Sequence, residues 1–142
     1  MTEQALKDYF EGKLSVGDLS RDVHGSQIRT GQDTTSVRVI QLTGEEEFKV
    51  TRVHMLMLCN DAIASNISTE DLNTIGFALM TSEHFMLNDG TADGEIVSAT
   101  AFDWDNPEIG YALTPENLKH WKTRLETGAD NFDKSDLKRQ NK

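Results

Sequence analysis

Apolar residues along this chain recur mostly at helical spacing and are broken by short polar turns. ALKDYFEG carries a helical pattern and predicts a helix over 3–12, followed by a short second helix over 16–23. HGSQIRTGQDTT (24–35) is polar and glycine-containing and reads as a loop. SVRVIQL (36–42) is rich in β-branched residues and predicts a strand. EEEFKVTRVHMLMLCNDAIA (45–64) predicts a third helix. Phe48, Met55, Cys59 and Ile63 form its apolar stripe, Val53 and Leu56 lie beside it, and the acids at 45–47 suit its positive N-terminus. A fourth helix begins after Ser68. Its Leu72, Ile75, Phe77, Leu79 and Met80 cover much of the circumference, which places it at the centre of the core. NDGTADG (88–94) is a polar turn. EIVSATAFDW (95–104) fits both periods: alternation makes it a strand, whereas Val97, Ala101 and Trp104 would line one helical face, and the helical surroundings favour the latter. Thr114-Pro115-Glu116 opens a last helix, with Leu118, Trp121 and Leu125 as its stripe and Gly128 as its end.

One phrase occurs twice: GKLSVGDL at 12–19 and SNISTEDL at 65–72, displaced by 53 positions. In each, a serine (Ser15, Ser68) stands where an N-cap would, with an aspartate three residues on (Asp18, Asp71). Apolar residues flank the cap as a hydrophobic staple, Leu14 with Leu19 and Ile67 with Leu72. Gly12 and Asn66 are the residues tolerant of the left-handed turn that ends a helix. The phrase therefore means helix stop, tight turn, capped helix start, and predicts two helical hairpins. The expected architecture is mainly α: helical hairpins packed as a bundle, with room for short strands at 36–42 and 95–104. One domain over 1–128 is expected, followed by a polar, flexible tail over 129–142.

Composition changes this picture little. A chain of 142 residues with 37% hydrophobic and 27% charged residues can bury a core without staples. Its longest apolar run, MLMLC, is far short of the roughly 20 residues of a membrane span. The opening MTEQALKDYF has neither a basic start nor an apolar run, so no secretory signal is expected. With a single cysteine, a cytoplasmic protein is the expectation.

Charge changes it more. The net charge is −10, and no Lys or Arg occurs between Arg52 and Lys119. Those 66 residues hold eleven acids: Asp61, Glu70, Asp71, Glu83, Asp89, Asp93, Glu95, Asp103, Asp105, Glu108 and Glu116. Clustered phosphate contacts need Lys and Arg, so direct nucleic-acid binding and an anionic membrane surface are both disfavoured. An acidic half-chain serves solubility by itself. It also suits electrostatic recognition of a basic protein.

Catalytic signatures are weak. His54 and Cys59 point about 140° apart on a helix, and a cysteine on an apolar stripe is ordinarily a small buried hydrophobe. The four histidines, His24, His54, His84 and His120, lack metal-ligand spacing, so no metal and no cofactor is expected. A calcium loop started at Asp89 would place Thr100 where a bidentate Glu is needed. Asp103, Asp105 and Glu108 sit in one local turn around Trp104 and Pro107. No phosphate loop, nucleophile elbow or dinucleotide fingerprint is present, and the expectation is that the protein is not an enzyme.

The opening ALKDYFEGKLSVGDLS resembles the start of small bacterial immunity proteins of the colicin D and contact-dependent growth inhibition kind. The resemblance covers Ala5 to Leu19 and implies a compact, cytosolic, helical protein whose acidic face plugs a basic toxin, often an RNase. No catalytic residue carries over. Two functions of different class are thus in play. The first is stoichiometric neutralisation of a basic toxin or nuclease domain, with Glu83, Asp89, Asp93, Glu95, Asp103, Asp105, Glu108 and Tyr111 as partner-binding residues and Trp104 as a second candidate aromatic anchor. The alternative is a small metal- or ligand-binding domain or enzyme that uses the acids between 89 and 108. Nothing in the sequence sets an oligomeric state.

Overall fold

A computed structural model of the chain describes residues 1–29, 35–130 and 132. Among them, helices α1 (Glu3–Phe10), α2 (Val16–Val23), α3 (Arg52–Ile63), α4 (Thr69–Thr81), α5 (Ala92–Asp105) and α6 (Pro115–Thr127) carry the fold. Four short strands accompany them: β1 (Gln27–Arg29), β2 (Thr35–Val37), β3 (Phe48–Lys49) and β4 (Phe85–Met86). The protein is mainly α, with helices packed around one core. No helix among the described residues is long and apolar enough to cross a membrane.

The repeated phrase builds the same local geometry twice. Ser15 Oγ accepts from Asp18 N at 3.2 Å, and Ser68 Oγ accepts from Asp71 N at 3.0 Å. The preceding helix ends alike. Lys13 N donates to Asp8 O (2.7 Å) and Gly12 N to Tyr9 O (3.1 Å); Asn66 N donates to Asp61 O (2.8 Å) and Ser65 N to Ala62 O (3.1 Å). This is the Schellman pattern, which needs one residue at positive φ. In the first hairpin that residue is Gly12, as the sequence predicts; in the second it is Ser65, at φ 63°, and not Asn66. The spacing from the cap serine fixes the position, so the chain accepts a serine there.

Several other expectations are corrected. The third helix starts at Arg52 and not at the acids of 45–47. Phe48 leaves the predicted stripe to pair with Phe85 in the parallel β3–β4 ladder, and stacks on Phe10 with ring centroids 5.9 Å apart. Thr51 then caps α3: its Oγ1 accepts from His54 N, and His54 Nδ1 accepts from Thr51 N at 3.0 Å. With that start, Val53 and Ile63 face outward, 67% and 37% exposed. The 95–104 segment is the helix that its surroundings favour, and only its start moves, to Ala92, because Thr91 Oγ1 accepts from Gly94 N. Val97, Ala101 and Trp104 are its buried face. The expected 36–42 strand shrinks to β2, Thr35–Val37, followed by an isolated bridge between Ile40 and Thr2. The expected 24–35 loop contains β1, which pairs antiparallel with β2 in the register Ile28↔Ser36; residues 30–34 lie outside the described residues. Most of the expected tail also lies outside them.

Helix α4 packs along α5, and α3 along α6. Gly76 sets the first of these contacts. A Cβ there would lie 2.8 Å from both Trp104 Cβ and Asp105 N, so only glycine lets the two backbones approach this closely. Trp104 and Trp121 meet edge to face at 6.3 Å and are both fully buried. The first hairpin docks through Leu6, Tyr9, Phe10, Leu19 and Val23. Tyr9 donates its hydroxyl to the Asp61 carboxylate of α3, and burial together with that carboxylate holds the phenol well above its ordinary pKa.

Candidate acidic binding face

The fold partly undoes the charge segregation of the sequence. Three of the acids expected to face a partner are answered by cations from outside the cation-free stretch. Asp89 receives Lys49 Nζ at 2.6 Å, together with the backbone N–H and hydroxyl of Thr91. The lysine and then the threonine hold its carboxyl well below the usual carboxylate range. These bonds make 88–94 a closed polar turn that leads into α5. Asp93 is paired with Arg52 Nη1 at 2.9 Å. Asp103 Oδ2 accepts from Arg124 Nη1 (2.9 Å) and Trp121 Nε1 (3.1 Å), joining α5 to α6. Arg124 also reaches Asp130 at 3.4 Å and lies 4.8 Å from the centroid of the Phe132 ring.

Glu83, Glu95 and Glu108 are exposed and have no ion-pair partner among the described residues. Tyr111 is 8% exposed, with its ring 4.2 Å from that of Phe132, and Trp104 is fully buried. Neither offers a partner an aromatic surface. The exposed apolar side chains in this region are instead Phe102 (48%) and Ile109 (43%), which bracket Asp105 and Glu108 in the sequence. Sequence reasoning missed both. The signal for Phe102 was available, because a stripe of Val97, Ala101 and Trp104 turns position 102 outward.

Two of the acids do converge, Glu70 and Glu108. A shallow groove of about 390 Å³ runs between the start of α4 and the turn after α5, lined by Thr69, Glu70, Asn73, Pro107, Glu108, Ala112 and Leu113. Asn73 fixes its floor by donating from Nδ2 to the carbonyl of Trp104 at 2.8 Å. Asp105 stands beside Glu108. Burial pushes its carboxyl above the ordinary value, and the charge of Glu108 pushes the same way. Two like charges held close, one partly desolvated, make a face that a cation would relieve. Glu70 escaped the sequence reading because it lies 38 residues before Glu108 and only the packing of α4 on α5 unites them.

The candidate nucleophile is inert. Cys59 is fully buried and donates its thiol to the Leu118 carbonyl at 3.2 Å; burial pushes the thiol up to about 12. His54 is a helix-capping residue packed between Phe10 and Phe48, and burial lowers its pKa. His84 is buried near the N-terminal helix, with Nδ1 3.2 Å from Glu3 and Nε2 3.1 Å from the Gly44 carbonyl. A second groove of about 410 Å³ between α3, the start of α4 and α6 is walled by Ile63, Ile67, Pro115 and Leu118, and holds one charged group, Lys119. Among the described residues, the acids between 89 and 108 do not form a group of three ligands able to hold one ion. No protein-family model, curated protein or solved structure matches the chain.

Proposed function

We propose that this protein is a stoichiometric binder of a basic protein, which it neutralises by covering a positively charged, phosphate-binding surface such as that of a nuclease toxin. The reading makes it a cytoplasmic protein without turnover or cofactor, of the immunity-protein kind. One observation carries it: Glu70 and Glu108 line a single groove, Asp105 stands beside Glu108, and exposed Phe102 and Ile109 bracket these last two acids in the sequence. Charge at a rim speeds encounter and selects the partner, and an apolar residue at its centre supplies affinity. Within the eight residues expected from sequence, the reading narrows to Asp105 and Glu108 on this edge, with Glu70 added. Asp89, Asp93 and Asp103 serve the fold.

The test is capture of partners by the tagged protein from nuclease-treated lysate of its own host, washed at low and then high salt. One basic protein retained near one-to-one and released by salt is the expected result. Glu70→Lys with Glu108→Lys should then weaken binding about tenfold or more at low salt. Retention unchanged by the double reversal, or no specific protein retained by a folded sample, would overturn the reading.

A further inference from the structure

We propose that His24, Glu70 and Asp71 form a binding site for a divalent transition-metal ion of the zinc class, clamping the end of α2 to the start of α4. One nitrogen or oxygen atom from each residue lies within 4.8 Å of the other two. The donors come from separate elements. His24 is the C-cap of α2, while Glu70 and Asp71 stand in the first turn of α4.

The second observation is the state of Asp71. Its side chain is only 3% exposed, so its charge is almost fully removed from water. A buried carboxylate needs a close cation or short hydrogen bonds. Asp71 has neither. Its Oδ2 meets the Ser20 hydroxyl at 3.5 Å, and its Oδ1 faces His24 Nδ1 at 3.8 Å. The second distance is too long for a hydrogen bond. It is a few tenths of an ångström beyond the roughly 3.4 Å that two donors span across one tetrahedral zinc ion. His24 is 74% exposed at its side chain and Glu70 is exposed, so both can close the remaining gap without disturbing the core.

The donor set selects the ion. One imidazole with two carboxylates suits zinc, manganese or cobalt, whereas magnesium and calcium prefer oxygen alone. Water completes the shell on the open side. Sequence spacing could not reveal the site, because His24 lies 46 residues from Glu70. The site shares Glu70 with the acidic groove.

Titration of the metal-free full chain with Zn²⁺ by calorimetry, and with Co²⁺ by visible absorption, tests the proposal. The expected result is one ion per chain, an unfolding midpoint raised by about 5 °C with Zn²⁺, and no such rise with Mg²⁺ at the same concentration. His24→Ala and Glu70→Gln change exposed side chains and should leave the fold intact. Each should weaken Zn²⁺ binding about tenfold or more, whereas His120→Ala should not. Failure of the wild-type chain to bind Zn²⁺ would overturn the site and reduce the cluster to a His24–Asp71 contact. So would binding that survives both His24→Ala and Glu70→Gln. Because the probe is the metal alone, neither outcome bears on the neutralisation of a basic partner.

Discussion

The hairpins written by GKLSVGDL and SNISTEDL share their stop, their cap and their staple, and then part company. In the first, Asp18 ends on the surface, where Arg21 and Ser15 lower its pKa. In the second, the matching Asp71 is buried against α2. Helix α2 stops after two turns and rests one face on the core, while α4 runs on for 13 residues and is enclosed by its neighbours. The local code specifies how a helix begins. It does not specify how much of that helix will be covered.

The sharpest break of this comparison comes from glycine. Gly76→Ala in α4 should destabilise by about 3 kcal/mol, because its Cβ would strike the backbone of α5, which cannot rotate away. Gly17→Ala in α2 should instead stabilise by about 0.5 kcal/mol, since its nearest neighbour would be Ser15 Oγ at 3.9 Å and alanine favours the helix. Chemical denaturation of both variants gives the two signs directly. Equal effects would mean that α4 and α2 are packed alike.

Removing Asp103 should cost about 2–3 kcal/mol, because Asp103→Ala strands the largely buried Arg124 and the Trp121 indole N–H. The same change at Glu108, which has no such partner, should stay within about 0.5 kcal/mol. The contrast separates acids that build the fold from acids that do not.

The two turns offer a reciprocal exchange. Ser65→Gly should stabilise by about 1 kcal/mol and Gly12→Ser should destabilise by a similar amount, since both positions hold positive φ. Ser15→Ala and Ser68→Ala should each cost about 1 kcal/mol through the lost cap bond. Thermal denaturation that showed one cap to matter and the other not would break the equivalence of the two phrases.

The smallest effect is a titration. The raised pKa of Asp105 means that the folded state holds its proton more readily than the unfolded chain does. Stability therefore falls as pH rises from the unfolded carboxylate value to the raised folded one, and recovers as pH drops. Asp105→Asn should flatten that limb of the stability profile. Glu108→Gln should move the Asp105 midpoint, followed by NMR, down toward the ordinary value.

What the sequence by itself determined is local. Ser15, Ser68, Thr114, Pro115 and Gly128 announce helix ends through bonds that span only a few residues, and the helices begin or end where they predict. The buried stripes of α4 and α6 were legible for the same reason, since a helical period needs no knowledge of the partner. Tertiary structure decided the rest. Phe48 became a strand residue because Phe85 and Phe10 were there to receive it. The cation-free stretch borrowed Lys49, Arg52 and Arg124 from outside itself, so its charge count overstated its acidic surface. Glu70 and Glu108, and His24 and Asp71, meet only when helices pack, because a side chain's neighbours across a helix interface are set by crossing and close approach, which no spacing along the chain records.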